Sequence, residues 1–116
     1  IQYAFSFPKR LPLRGDRLDL FKTQDLQFFE PDYTKFKCLQ LAFDAIHMGG
    51  NMSCILNAAN EVVNAGFRRG ECGFLQMADI IEQVMQKATF DKSPDLDVYL
   101  RTDTEARRIA TELMNK

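Results

Sequence analysis

The segment from Ser53 to Arg69 constrains the fold most, because it is apolar or small around most of its circumference yet carries one narrow polar seam. At helical spacing Asn57, Asn60, Glu61 and Asn64 share a sector roughly 100° wide, while Ile55, Ala58, Ala59, Val62, Val63, Gly66 and Phe67 occupy nearly all the rest. A helix apolar on so many sides has to be surrounded by other elements. Propensity does not explain the asparagines, since Asn is a poor helix former whose side chain competes for backbone hydrogen bonds. The seam admits two readings. Buried amides need partners, and each Asn offers two donors and an acceptor to neighbouring backbone. Alternatively the seam is a binding or catalytic stripe. Of its members only Glu61 titrates, and no His or Cys joins it, so general acid–base work is poorly served. Asn57, Asn60 and Glu61 are therefore expected to form a structural motif, a polar stitch on a buried helix.

The neighbours of this segment supply the helices that would surround it. Phe36, Leu39, Phe43 and Ile46 recur at helical spacing before Gly49-Gly50, which predicts a helix with that apolar face, an N-cap at Asp32 or Thr34 and a glycine stop. The seam helix is expected from about Ser53 to Arg69, ending at Gly70. A third helix, about Leu75 to Ala88, presents Met77, Ile80, Ile81, Val84 and Met85. Leu96 to Leu100 reads as a short helical turn. Thr102-Asp103-Thr104-Glu105 then fits a capping box for a fourth helix through Met114, with Ala106, Ile109, Ala110 and Leu113 inward. The predicted fold is mainly α: a compact four-helix bundle over residues 35–116.

Residues 1–34 differ in texture. They hold three of the four prolines and no sustained helical period. Leu26-Gln27-Phe28-Phe29, ended by Glu30-Pro31-Asp32, predicts a short strand, and the alternation at Leu18 and Leu20 a second extended stretch. This extended arm cannot cover its phenylalanines by itself. The chain also opens on Ile1 rather than Met, and the run to Phe7 reads as the end of an element that begins upstream, so a fragment is expected.

Composition excludes several classes. A net charge of −1 gives no electrostatic case for a nucleic-acid partner or an anionic membrane surface. No apolar run approaches the roughly 20 residues of a membrane span, and no signal segment opens the chain. Cys38, Cys54 and Cys72 are odd in number and lack a C-x-x-C pair, which fits a reducing compartment better than a disulfide framework. With His47 they lack the close spacing of zinc ligands.

The seam sequence Leu56-Asn57-Ala58-Ala59-Asn60-Glu61, with Gly49-Gly50 before it and Phe67 after it, closely resembles the C-terminal region of the 1-deoxy-D-xylulose 5-phosphate reductoisomerase family. Other stretches match that family in order: Ile1-Gln2-Tyr3-Ala4 with Pro8 and Arg10, Leu26 and Phe28 before Pro31-Asp32, Cys38-Leu39 with Leu41-Ala42, Gly73-Phe74, and Ala106-Arg107. Lys37 departs from the pattern, standing where the family usually has Pro, and Asn64 and Arg68 occupy positions commonly apolar.

The resemblance implies a parent enzyme that rearranges 1-deoxy-D-xylulose 5-phosphate and reduces the intermediate aldehyde with NADPH. The product is 2-C-methyl-D-erythritol 4-phosphate, on the non-mevalonate route to isoprenoids. The cofactors it implies are NADPH and a divalent cation (Mg, Mn or Co), none of them bound to this chain. It implies a homodimer, with the upstream NADPH-binding and catalytic domains as partners; the lack of signal and membrane segments fits a bacterial cytoplasm or an organelle matrix, and a bacterial cytoplasm is expected. Residues 1–34 would be the connection from the catalytic domain. The family's catalytic and metal groups lie upstream of Ile1, so no catalytic, cofactor-binding or metal residue is assigned here. Gly49-Gly50 and Gly70-x-x-Gly73 do not have the spacing of a dinucleotide turn. The arm's phenylalanines further predict self-association of the isolated chain. The alternative reading is a free-standing helical interaction module.

Overall fold

The computed structural model describes residues 1–12, 14–23 and 25–115. Its helices are α1 (Gln2–Ser6), α2 (Lys37–Met48), α3 (Met52–Arg69), α4 (Phe74–Lys87) and α5 (Leu96–Met114). The chain divides into two units, Ile1–Glu30 and Pro31–Lys116.

The second unit is built around α3, against which α2, α4 and α5 all pack. Ile55, Ala58, Ala59 and Val63 are completely buried, joined in the core by Ile80, Ile81 and Val84 of α4 and by Ala106, Ile109 and Ala110 of α5. Burying a side chain such as Ile55 stabilises the fold by about 1.5–3 kcal/mol. The inward faces predicted for α4 and α5 are the ones observed, with Met77, Met85 and Leu113 packed on the core from its edge. Gly70 closes α3 in the left-handed conformation (φ 77°), as its glycine predicts. Gly66 is buried rather than solvated. A Cβ there would press on the Met114 thioether at 2.5 Å, so the glycine lets the end of α5 approach α3 closely.

Three helical expectations are corrected. The face of α2 turned to the core is Leu41 and Ala45, whereas Phe36 (60% exposed), Leu39, Phe43 and Ile46 (68%) face outward. The helix carries two apolar stripes, and periodicity alone cannot say which one the core will take. Neither Asp32 nor Thr34 caps α2; Asp32 instead accepts bonds from the Thr34 amide and hydroxyl and the Lys35 amide, closing a turn ahead of the helix. Helix α2 begins at Lys37, whose ammonium lies 2.8 Å from both Asp79 and Glu82 of α4. The first helical position is where proline is well tolerated, and here the lysine ties two helices together instead. Finally, the Thr102–Glu105 capping box is not a cap. Helix α5 runs unbroken from Leu96, started by Asp95, whose carboxylate accepts the Val98 amide at 2.8 Å.

Thr102 is needed elsewhere. It is buried in mid-helix, and its hydroxyl accepts a 2.9 Å bond from the amide of Asn51, which is itself fully buried in the α2–α3 turn. The same Asn51 amide donates to the Thr89 carbonyl (2.9 Å), the Asn51 side-chain oxygen accepts the Asp91 N–H (2.9 Å), and the Asn51 N–H donates to the Asp91 carbonyl (3.0 Å). Gly50 makes this junction possible. It has φ 55°, and a Cβ on it would run into the Asp91 carbonyl oxygen.

Within the first unit, α1 is a single short helix, Tyr3 meets Phe7 edge-on at 5.9 Å, and the Arg10 guanidinium sits 4.2 Å from the Tyr3 ring. The strands expected at Leu26–Phe29 and around Leu18 and Leu20 are absent from the described residues. Leu26, Phe28 and Phe29 are exposed and have no ladder partner among the described residues, and side-chain alternation cannot make a strand where no second strand pairs with it.

Candidate functional site

The expected buried seam is exposed. Asn57, Asn60, Glu61 and Asn64 all face outward on α3, because its three packed neighbours cover three sides and leave this one open. Asn57 donates to Glu61 Oε1 at 3.3 Å, one turn away. Arg107 of α5 donates from Nη2 to Glu61 Oε2 at 2.6 Å and from Nε to Asp103 at 2.8 Å. The Arg107 bond, then the Asn57 bond, hold the Glu61 carboxyl below its usual range. The two carboxylates in turn raise Arg107 further above its already high value. Glu61 is thus an anchored anion between two helices and not a poised base. Among the described residues the Asn60 and Asn64 side chains have no hydrogen-bond partner.

A second feature lies on the same bundle. Between the starts of α2 and α4 is a groove of ≈ 510 Å³ whose apolar walls are Phe36, Leu39, Phe74, Leu75 and Met77. Phe74 and Leu75 are 70% and 79% exposed. Phe74 also meets Phe67 of α3 edge-on, with ring centres 5.9 Å apart. No sequence reading pointed to this groove. The available signal was that α2 has more apolar surface than one core-facing stripe requires, and that Phe74 and Leu75 sit off the core stripe of α4.

The candidate metal and phosphate-binding residues of the sequence lie apart. Among the described residues no three His, Cys, Asp or Glu side chains converge. His47 is exposed on α2, and Cys38, Cys54 and Cys72 are free. Burial raises the Cys38 and Cys54 thiols, which keeps them protonated and weakly nucleophilic. Gly49 and Gly50 link two helices, and Gly70 and Gly73 link the next two, so neither pair forms a strand-to-helix phosphate turn.

Taken together, the core, the open polar face and the apolar groove define a helical bundle domain with an amphiphilic outer surface. The chain belongs to the family of DXP reductoisomerase C-terminal domains, whose family model matches residues 1–109. It is 52% identical over all 116 residues to the 1-deoxy-D-xylulose 5-phosphate reductoisomerase of Bacteroides fragilis, of which it spans 30%. It is similar to the reductoisomerase of Zymomonas mobilis solved in complex with NADPH, at 34% identity and a TM-score of 0.83, over 99% of this chain and 30% of that one. A DOX-P reductoisomerase solved with NADPH, fosmidomycin and magnesium superposes with a TM-score of 0.89 at 30% identity, over 98% of this chain and 30% of that one. The chain therefore spans about a third of the proteins it resembles. No helix of the described residues is long and apolar enough to cross a membrane.

Proposed function

We propose that this chain is the C-terminal helical domain of an NADPH- and divalent-metal-dependent enzyme that converts 1-deoxy-D-xylulose 5-phosphate to 2-C-methyl-D-erythritol 4-phosphate, working as a homodimer in a bacterial cytoplasm. The observation that carries the reading is the family match over residues 1–109. Residues 1–34 connect the bundle to the catalytic domain. Substrate, NADPH and cation (Mg, Mn or Co) are held by upstream residues, and the chain alone is inactive. Its role is to support the catalytic domain from outside the reaction centre. Asn57, Asn60 and Glu61 belong to that supporting surface. The exposed Phe5, Phe21, Phe28 and Phe29 support self-association of the isolated chain at high concentration.

The test grafts the chain onto the Bacteroides fragilis enzyme in place of its matching C-terminal part. Nicotinamide absorbance is then followed with substrate, NADPH and Mn²⁺. Turnover is expected from the graft and none from the chain alone. An inactive graft that folds, or turnover by the isolated 116 residues, would sink the reading.

A further inference from the structure

We propose that the α2–α4 groove and the asparagine face of α3 are one docking surface for the upstream part of the same polypeptide, which seats apolar side chains in the groove and peptide groups on the seam amides. The inference rests on the reading above, and it adds which residues meet the rest of the protein. The greater part of each relative's length lies outside the match, so a partner of that size is at hand.

Continuity supports treating the two features as one. Phe74 lines the groove and meets Phe67, and Phe67 lies three and seven residues beyond Asn64 and Asn60, on the same face of α3. The composition is that of an interface interior, aromatic and apolar at the centre with neutral hydrogen-bonding groups beside it. Lys35, Lys37 and Asp79 also line the groove, but Lys37 is already held by Asp79 and Glu82, and Glu61 on the seam is paired with Arg107. Arg68, one turn beyond Asn64, adds a single exposed cation, whereas a nucleic acid or anionic membrane would need a cluster of them. Exposed helix positions favour Lys, Glu or Ala, so Asn60 and Asn64, whose side chains have no partner among the described residues, are explained by partners that offer both N–H and C=O.

Hydroxyl-radical footprinting tests the surface independently of activity. The isolated chain, kept at a concentration where light scattering gives a monomer, is compared with the Bacteroides fragilis graft. Oxidation of Phe36, Leu39, Phe74 and Leu75 is expected to fall roughly tenfold in the graft, as for residues buried at an interface core. Leu100, exposed on α5, should react equally in both. Unchanged oxidation of the groove would overturn the proposal, as would protection that already grows with concentration in the isolated chain, which would assign the face to a second copy. An active graft with an unprotected groove defeats only the docking surface, and a protected but inactive one defeats only the functional reading. If the graft does not fold, the intact Bacteroides fragilis enzyme, footprinted at the aligned positions against its own C-terminal part, decides between the same outcomes.

Discussion

Asn51 and Asn60 stand at the start and in the middle of one helix, and share a side chain, yet they live in opposite environments. Asn51 is fully buried and uses both ends of its amide, bonding Thr89, Asp91 and Thr102. Asn60 is exposed, with no partner among the described residues. Residue type therefore does not say whether an amide is structural. What decides is whether the surrounding backbone leaves unpaired groups that only an amide can satisfy. At Asn51 two connections and a helix meet and supply such groups. On the open face of α3 no group of the described residues does so for Asn60.

The contrast predicts where stability resides. Asn51→Ala should cost about 3 kcal/mol, because it strands the buried Thr102 hydroxyl together with the half-buried Asp91 N–H and the Thr89 carbonyl; urea unfolding of the chain measures it. Gly50→Ala attacks the same junction through the backbone, combining an unfavourable positive φ with a collision at Asp91, and should cost about 2 kcal/mol. A loss as small as that of an exposed site in either variant would break the claim that the turn is a structural knot. Asn60→Ala with Asn64→Ala should leave the isolated chain unchanged or stabilise it by up to about 1 kcal/mol through better helix propensity. Marked destabilisation there would return the seam to a structural role.

Glu61→Gln should have the smallest effect, visible mainly as a change in pH dependence. The folded state lowers the Glu61 pKa, so its contact with Arg107 contributes above the usual value of 4.5 and fades as pH falls through the depressed folded value. The stability difference between wild type and variant should accordingly shrink on acidification below that value and with added salt. A difference that grows toward low pH would reverse the assignment.

Much of the helical architecture is legible in the sequence for a physical reason: stripes at 3.6-residue period and glycine stops are local signals. They locate α3, α4 and the inward side of α5. The errors fall where a local pattern has two tertiary uses. Thr102 to Glu105 spells a capping box, but Thr102 is consumed by Asn51, and Glu105 accepts the Thr89 amide and hydroxyl. Helical spacing marks Phe36, Leu39, Phe43 and Ile46 as one stripe of α2, and the core took another, Leu41 and Ala45. For the candidate site, the identity of the seam was readable while its burial was not. Whether a fourth side of α3 is covered depends on how many helices pack around it, and no window of sequence reports that number. The family, by contrast, was readable from the order of several motifs along the chain.

The Asn51–Thr102 bond has one more consequence. Helices α3 and α5 pack together, and both bring small residues to the core, Ala58 and Ala59 from one and Ala106 and Ala110 from the other. Smooth surfaces of this kind give little resistance to one helix sliding along its neighbour, since adjacent turns offer nearly the same contacts. A single buried amide that finds its hydroxyl at one axial position acts as an index pin. Shifting α5 by one turn, about 5.4 Å, would leave that pin in a hole lined with hydrocarbon, so the bundle assembles in one register.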